Sequence, residues 1–152
     1  METWQNIVLL LTAIYSLSGL YFGYLHSKFK KNVFGLTPAY YLIGAFVWGD
    51  AVIFGIFWFL VSLVVYMLQD WTLFLLTFSL FWVVRSVGET MYWFLQQFST
   101  VIRHKPETSQ FHDIFHNDSI WFVYQIFWQC MTVISLVCSL YFAQHWLTSL
   151  FK

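Results

Sequence analysis

The chain has 152 residues, of which 60% are hydrophobic, 24% aromatic and only 9% charged. A soluble domain carries about a quarter charged residues, so this composition excludes an ordinary globular fold in water and points to an integral membrane protein of one domain. The formal net charge is zero, which removes the electrostatic footprint of a nucleic-acid binder.

Crossing about 30 Å of hydrocarbon takes roughly 20 helical residues, and four apolar runs meet that length. The first covers residues 7–25. It is preceded by METWQN, which holds Glu2 and no Lys or Arg; a cleavable signal peptide begins with a basic segment, so this span is expected to remain in the mature protein. Thr12, Ser16, Gly19, Gly23 and His26 recur at spacings of four and three and therefore share one helix face. Gly19 and Gly23 form a GxxxG pattern, which Ala45 with Gly49 and Ala51 with Gly55 extend into the next run. Such spacing lets backbones approach closely, here expectedly within one chain.

A loop over residues 26–38 follows, with Lys28, Lys30 and Lys31. The second run, 39–68, would cover roughly 45 Å as a continuous helix. It exceeds the bilayer, and tilt or a projection of about two turns on the basic side is expected. It contains Asp50. The turn Gln69-Asp70-Trp71 leads to the third run, 72–98, where Arg85 and Glu89 stand one helical turn apart and Tyr92 and Gln96 continue their face. Asp50 and Glu89 are equally far from the midpoint between Gln69 and Asp70, so an antiparallel hairpin folded there places them at one depth. An Asp50/Arg85/Glu89 cluster is the expectation. Charges within a span cost about 2.5–3.5 kcal/mol each on insertion scales, so they persist where they meet protein or water. The bland alternative is an intrahelical ion pair that only clamps structure.

The next loop, 99–118, carries Arg103, Lys105 and three histidines, His104, His112 and His116. His112 and His116 are four apart, the spacing of a two-histidine metal clip. A metal needs further ligands, so they are weak metal candidates beside a reading as ordinary loop histidines. Asn117, Asp118 and Ser119 read as the N-cap of the fourth run, 119–147. There Gln125, Gln129, Thr132, Ser135 and Ser139 repeat the polar spacing.

The two basic loops are expected on the cytoplasmic side by the positive-inside rule, which leaves both termini outside. Trp4, Trp71 and Trp146 mark the outer ends as an aromatic belt, and Trp48, Trp93 and Trp121 the inner one. Counting about 20 residues inward from the outer belt places His26, Asp50, Glu89 and Gln125 to Gln129 in one polar layer near the inner boundary. The expected fold is all-α: a polytopic membrane protein of four transmembrane helices in an antiparallel bundle, polar inward and apolar toward lipid.

No cofactor is expected. Cys130 and Cys138 are eight residues apart on one span, about 12 Å along a helix, too far to bridge. His26 and His145 sit at opposite ends of the spans, unsuited to hold a haem. No nucleophile elbow, phosphate loop, CxxC or HExxH occurs, so catalysis has no motif behind it. The substrate or ion site is expected at Asp50, Arg85, Glu89, Tyr92, Gln96, Gln125, Gln129 and His26. The leading reading is a transporter or channel for an ion, proton or small polar solute, expectedly a homo-oligomer because four helices enclose little lumen. The runner-up is an accessory subunit whose charges pair with a membrane-protein partner. A membrane enzyme on a lipid or isoprenoid is third, with Glu89 or Asp50 as acid or base and His26 or His112 nearby. Its constant partner is the lipid bilayer.

Overall fold

The computed structural model describes residues 1–100, 113–115, 117 and 119–150. The protein is all-α. Its helices are α1 (Thr3–Lys28), α2 (Trp48–Leu68), α3 (Trp71–Phe98) and α4 (Ser119–Leu150), with one 3-10 helix, Pro38–Ile43, between α1 and α2. All four α-helices are long and apolar enough to cross a membrane, as the sequence predicts. Two compact units divide the chain, Met1–Thr77 and Phe78–Lys152.

In the first unit, α1 and α2 run antiparallel with small residues at their contact. The buried positions of α1 are Leu9, Ser16, Gly19 and Gly23, the face that its spacing predicts. Those of α2 are Ala51, Gly55, Trp58, Ser62 and Val65, a matching stripe. A Cβ on Gly55 would lie 2.7 Å from the Ser16 carbonyl oxygen and 2.8 Å from the Leu20 nitrogen. A Cβ on Gly23 would meet the Trp48 carbonyl oxygen at 3.0 Å and the Ala51 Cβ at 3.1 Å. Glycine at these two positions is what lets the backbones come this near.

The run from Ala39 is not one helix, which corrects the predicted second span. Pro38 starts a 3-10 turn, Gly44 ends it at φ 74°, and α2 begins only at Trp48. Chain on either side of the turn pairs as a short hairpin. Thr37 N–H donates to Phe46 C=O at 3.0 Å, Trp48 N–H to Gly35 C=O at 3.1 Å, and Gly49 N–H to Val33 C=O at 3.0 Å. The Thr37 hydroxyl closes the hairpin from within by donating to Ala45 C=O at 2.7 Å. Thus the apparent excess length of the second run is a folded-back segment, and α2 itself matches the bilayer at about 1.5 Å per residue.

This hairpin packs along both helices. Tyr15 donates its hydroxyl to Ala39 C=O, the Tyr40 ring lies 3.2 Å from a Cβ built on Gly19, and Trp58 Nε1–H donates to Ile43 C=O at 3.2 Å. Thr37, Tyr40, Ile43 and Ala45 are buried in consequence.

Between α2 and α3 the turn is set by two side chains. Gln69 takes the left-handed conformation at φ 52°, and Asp70 Oδ1 accepts from Leu73 N–H at 3.1 Å, capping α3. At the same end of the unit, Trp4 and Trp71 meet edge to face at 5.2 Å, so these two belt residues share a level.

In the second unit, α3 and α4 are antiparallel partners. Trp82 stacks on Trp128 at 6.4 Å and Trp93 on Tyr124 at 4.5 Å. Asn117 Oδ1 accepts from Ser119 N–H at 3.0 Å just ahead of α4, in keeping with the predicted cap; Asp118 lies outside the described residues.

Candidate functional site

Arg85 and Glu89 are the centre of the candidate site because they stand within α3, a helix of membrane-crossing length. Helical spacing puts the two side chains on adjacent turns of one face, and Arg85 Nη2 bonds Glu89 Oε1 at 2.9 Å. Their side chains are 16% and 15% exposed, so the pair is shielded but reachable. A charge-assisted contact of this length in a poorly polar setting is stronger than its counterpart in water.

Hydrogen-bonding side chains extend along the same unit. Gln97 Nε2 donates to Gln125 Oε1 at 2.7 Å. The Thr132 hydroxyl lies 2.9 Å from Ser86 Oγ across the α3–α4 contact. Ser79, Ser86, Gln96, Ser135 and Ser139 are buried, so polar groups line the contact over much of its length. Three of these hydroxyls also have a local outlet: Ser86 donates to Trp82 C=O at 2.5 Å, Thr132 to Trp128 C=O at 2.9 Å and Ser139 to Ser135 C=O at 2.8 Å. This is how membrane helices hold hydroxyls without orphaning a proton.

Of the predicted site residues, Gln96 is buried at 4% exposure, and Tyr92 is half-buried with its ring against Trp93 at 5.3 Å. Gln125 is half-buried in the α3–α4 contact, whereas Gln129 is exposed. The inward face of α4 runs through Trp121, Gln125, Thr132, Ser135 and Ser139, and a step of four from Gln125 overshoots it. Gln97, Ser86 and Ser79 were not foreseen. Ser79 and Ser86 are seven residues apart, two helical turns, which is the signal that could have found them.

Asp50 and His26 belong to the first unit, Arg85 and Glu89 to the second. Asp50 stands in the first turn of α2, where Oδ2 accepts from Phe46 N–H at 3.2 Å. A carboxylate is favoured there by the helix dipole, so Asp50 has a local role in ending the hairpin and starting α2. His26 lies in the last turn of α1, its ring tilted against Trp48 at 3.8 Å between ring centres, with Nε2 3.0 Å from Lys30 Nζ.

Among the described residues, no three His, Cys, Asp or Glu side chains gather as metal ligands. The metal candidates His112 and His116 lie outside the described residues, as does His104. Cys130 and Cys138 are exposed thiols on α4. No protein-family model, curated protein or solved structure matches the chain.

Proposed function

We propose that this multi-pass membrane protein moves an ion, a proton or a small polar solute, with the Arg85–Glu89 pair at the centre of the path. The observation that supports this reading is the pair itself, set in an apolar helix of membrane-crossing length. Insertion of each charge costs about 2.5–3.5 kcal/mol on translocon scales. Their contact offsets part of that cost, by more than the about 0.2–0.5 kcal/mol such a pair gives in a water-exposed helix, but an apolar helix needs neither charge to cross a bilayer. Retained at that cost, the pair is best explained by use. Glu89 is the group that would exchange a proton or meet a cation, and Arg85 the group that would hold it or an anion in register. Gln96, Gln97, Gln125 and Tyr92 supply polar contacts on neighbouring turns. In the topology that accompanies this reading, Lys28, Lys30 and Lys31 face the cytoplasm and both termini lie outside, and the working form is a homo-oligomer.

The test is flux into proteoliposomes under imposed gradients of protons, sodium, potassium and chloride, for wild type beside Glu89→Gln and Arg85→Gln. Wild type should carry at least one of these above protein-free vesicles. Glu89→Gln should lower that flux by tenfold or more, the range typical for removing a positioned acid or base, while helical content is kept. No flux from wild type, joined to unfolding of both single variants and recovery in the double variant, would overturn the reading in favour of a structural or subunit-assembly role.

A further inference from the structure

We propose that residues 29–47 form a re-entrant hairpin whose apolar outer face and basic neck together seat an anionic phospholipid. The depth of the hairpin follows from its partners. Trp4 shares a level with Trp71, and α2 starts beside Gly23, whose Cβ position meets the Trp48 carbonyl. From Trp4 to Gly23 is about 28 Å of helix, close to the hydrocarbon thickness, so Trp48 and Gly23 mark its other boundary. The tip of the hairpin touches α1 at Tyr15, Ser18 and Gly19, which are about 6–12 Å inside that boundary at 1.5 Å per residue. Trp58, about 15 Å along α2 from its start, reaches Ile43 C=O and agrees. The segment enters from the Lys31 side, turns at Pro38–Ile43 and leaves where α2 begins.

Non-helical backbone at membrane depth is tolerated where its polar groups are met by protein. That condition is satisfied at the tip by Tyr15, Trp58 and the Thr37 hydroxyl and along the stems by the ladder from Val33 to Gly49. What the hairpin turns outward is apolar: Phe34 is 79%, Leu36 62% and Leu42 65% exposed. Such residues at this depth suit acyl chains.

The neck supplies the other half of the ligand. Lys28, Lys30 and Lys31 are exposed, and no acidic residue occurs between Glu2 and Asp50. Two of the lysines are held in place, Lys28 by the Tyr24 hydroxyl at 2.5 Å and Lys30 by His26 at 3.0 Å. Fixed ammonium groups at the headgroup level, directly above an apolar face, match a phosphate joined to acyl chains. A zwitterionic headgroup would leave this charge unmatched, whereas an anionic one neutralises it.

The experiment uses the full chain with Cys130→Ala, Cys138→Ala and Leu42→Cys, labelled with bimane and reconstituted into vesicles. Quenching by phosphatidylglycerol or phosphatidylcholine with brominated acyl chains reports both contact with lipid tails and lipid preference. Bimane at position 42 should be quenched by both lipids, with the anionic one preferred by about fivefold or more, the factor one surface lysine contributes at about 1 kcal/mol. Replacing the lysines by Lys28→Gln, Lys30→Gln and Lys31→Gln should bring the ratio to about one. High salt should do the same to the unsubstituted neck, a check that needs no new fold. Absence of quenching, or labelling of Leu42→Cys by a membrane-impermeant maleimide in sealed vesicles, would overturn the re-entrant path. Equal quenching by the two lipids, or loss of the preference on adding inorganic phosphate at matched ionic strength, would overturn the lipid seat.

Discussion

Two glycines show how differently one residue type can be used in this chain. Gly55 lies where a methyl group would come within 2.7 Å of the α1 backbone. Gly55→Ala must therefore push α1 and α2 apart, and a loss of about 1–3 kcal/mol is expected, the usual range for overpacking a tight contact. Gly88, one residue before Glu89, has nothing within 4 Å of its Cβ position. Gly88→Ala should leave packing unchanged and gain up to about 1 kcal/mol of helix propensity. Thermal unfolding in one detergent measures both, and similar shifts for the two variants would contradict the α1–α2 geometry. Arg85 and Glu89 belong to this scale as well. Their spacing made the contact legible in advance because helical residues four apart are neighbours whatever the rest of the molecule does. Gln129 stands exposed beside the half-buried Gln125 because successive steps of four drift around a helix that turns once in 3.6 residues.

At the scale of elements, the hairpin before α2 and the polar seam of α3 with α4 carry separable expectations. Trp58 gives Ile43 C=O its indole proton at 3.2 Å from a fully buried position. Trp58→Phe keeps a ring in place but leaves that carbonyl without this donor, and about 1–3 kcal/mol of stability should be lost. Leu42→Cys should then become accessible to maleimide in the same variant if the bond holds the tip down. In the second unit, Thr132 and Ser86 meet at 2.9 Å. A double-mutant cycle over Thr132→Val and Ser86→Ala should return a coupling of about 0.6 kcal/mol and not above about 1.7, the span measured for interhelical hydrogen bonds in membranes. Zero coupling would mean that each hydroxyl is satisfied by its own helix alone. Gly44 inside the second run, with Pro38 just ahead of it, is the sequence signal of the break, since both residue types punctuate helices. The apolar character of Ala39 to Val47 masked the signal, because a folded-back segment at membrane depth is as apolar as a spanning helix.

For the whole molecule, the basic residues after α1 and the paired Trp4 and Trp71 define opposite ends of the first unit. The proposed topology, which follows the positive-inside rule, puts the lysine end in the cytoplasm. Single cysteines at Glu2 and at Ser149, in a background without Cys130 and Cys138, should both react with impermeant maleimide from the non-cytoplasmic side, whereas Asn32→Cys should react only after the membrane is opened. Labelling of Glu2→Cys and Ser149→Cys from different sides would refute a four-span topology with both termini outside. The sequence by itself determined the class of protein, the number of crossing helices, the turn at Gln69 and Asp70, and the polar face of α1. All of these depend on composition, run length and helical period, which are local quantities. Only the tertiary structure decided that α2 begins at Trp48, that Asp50 is bonded at its first turn, and that Gln125 meets Gln97. Those outcomes rest on which distant backbone and side-chain groups could satisfy one another once water was excluded.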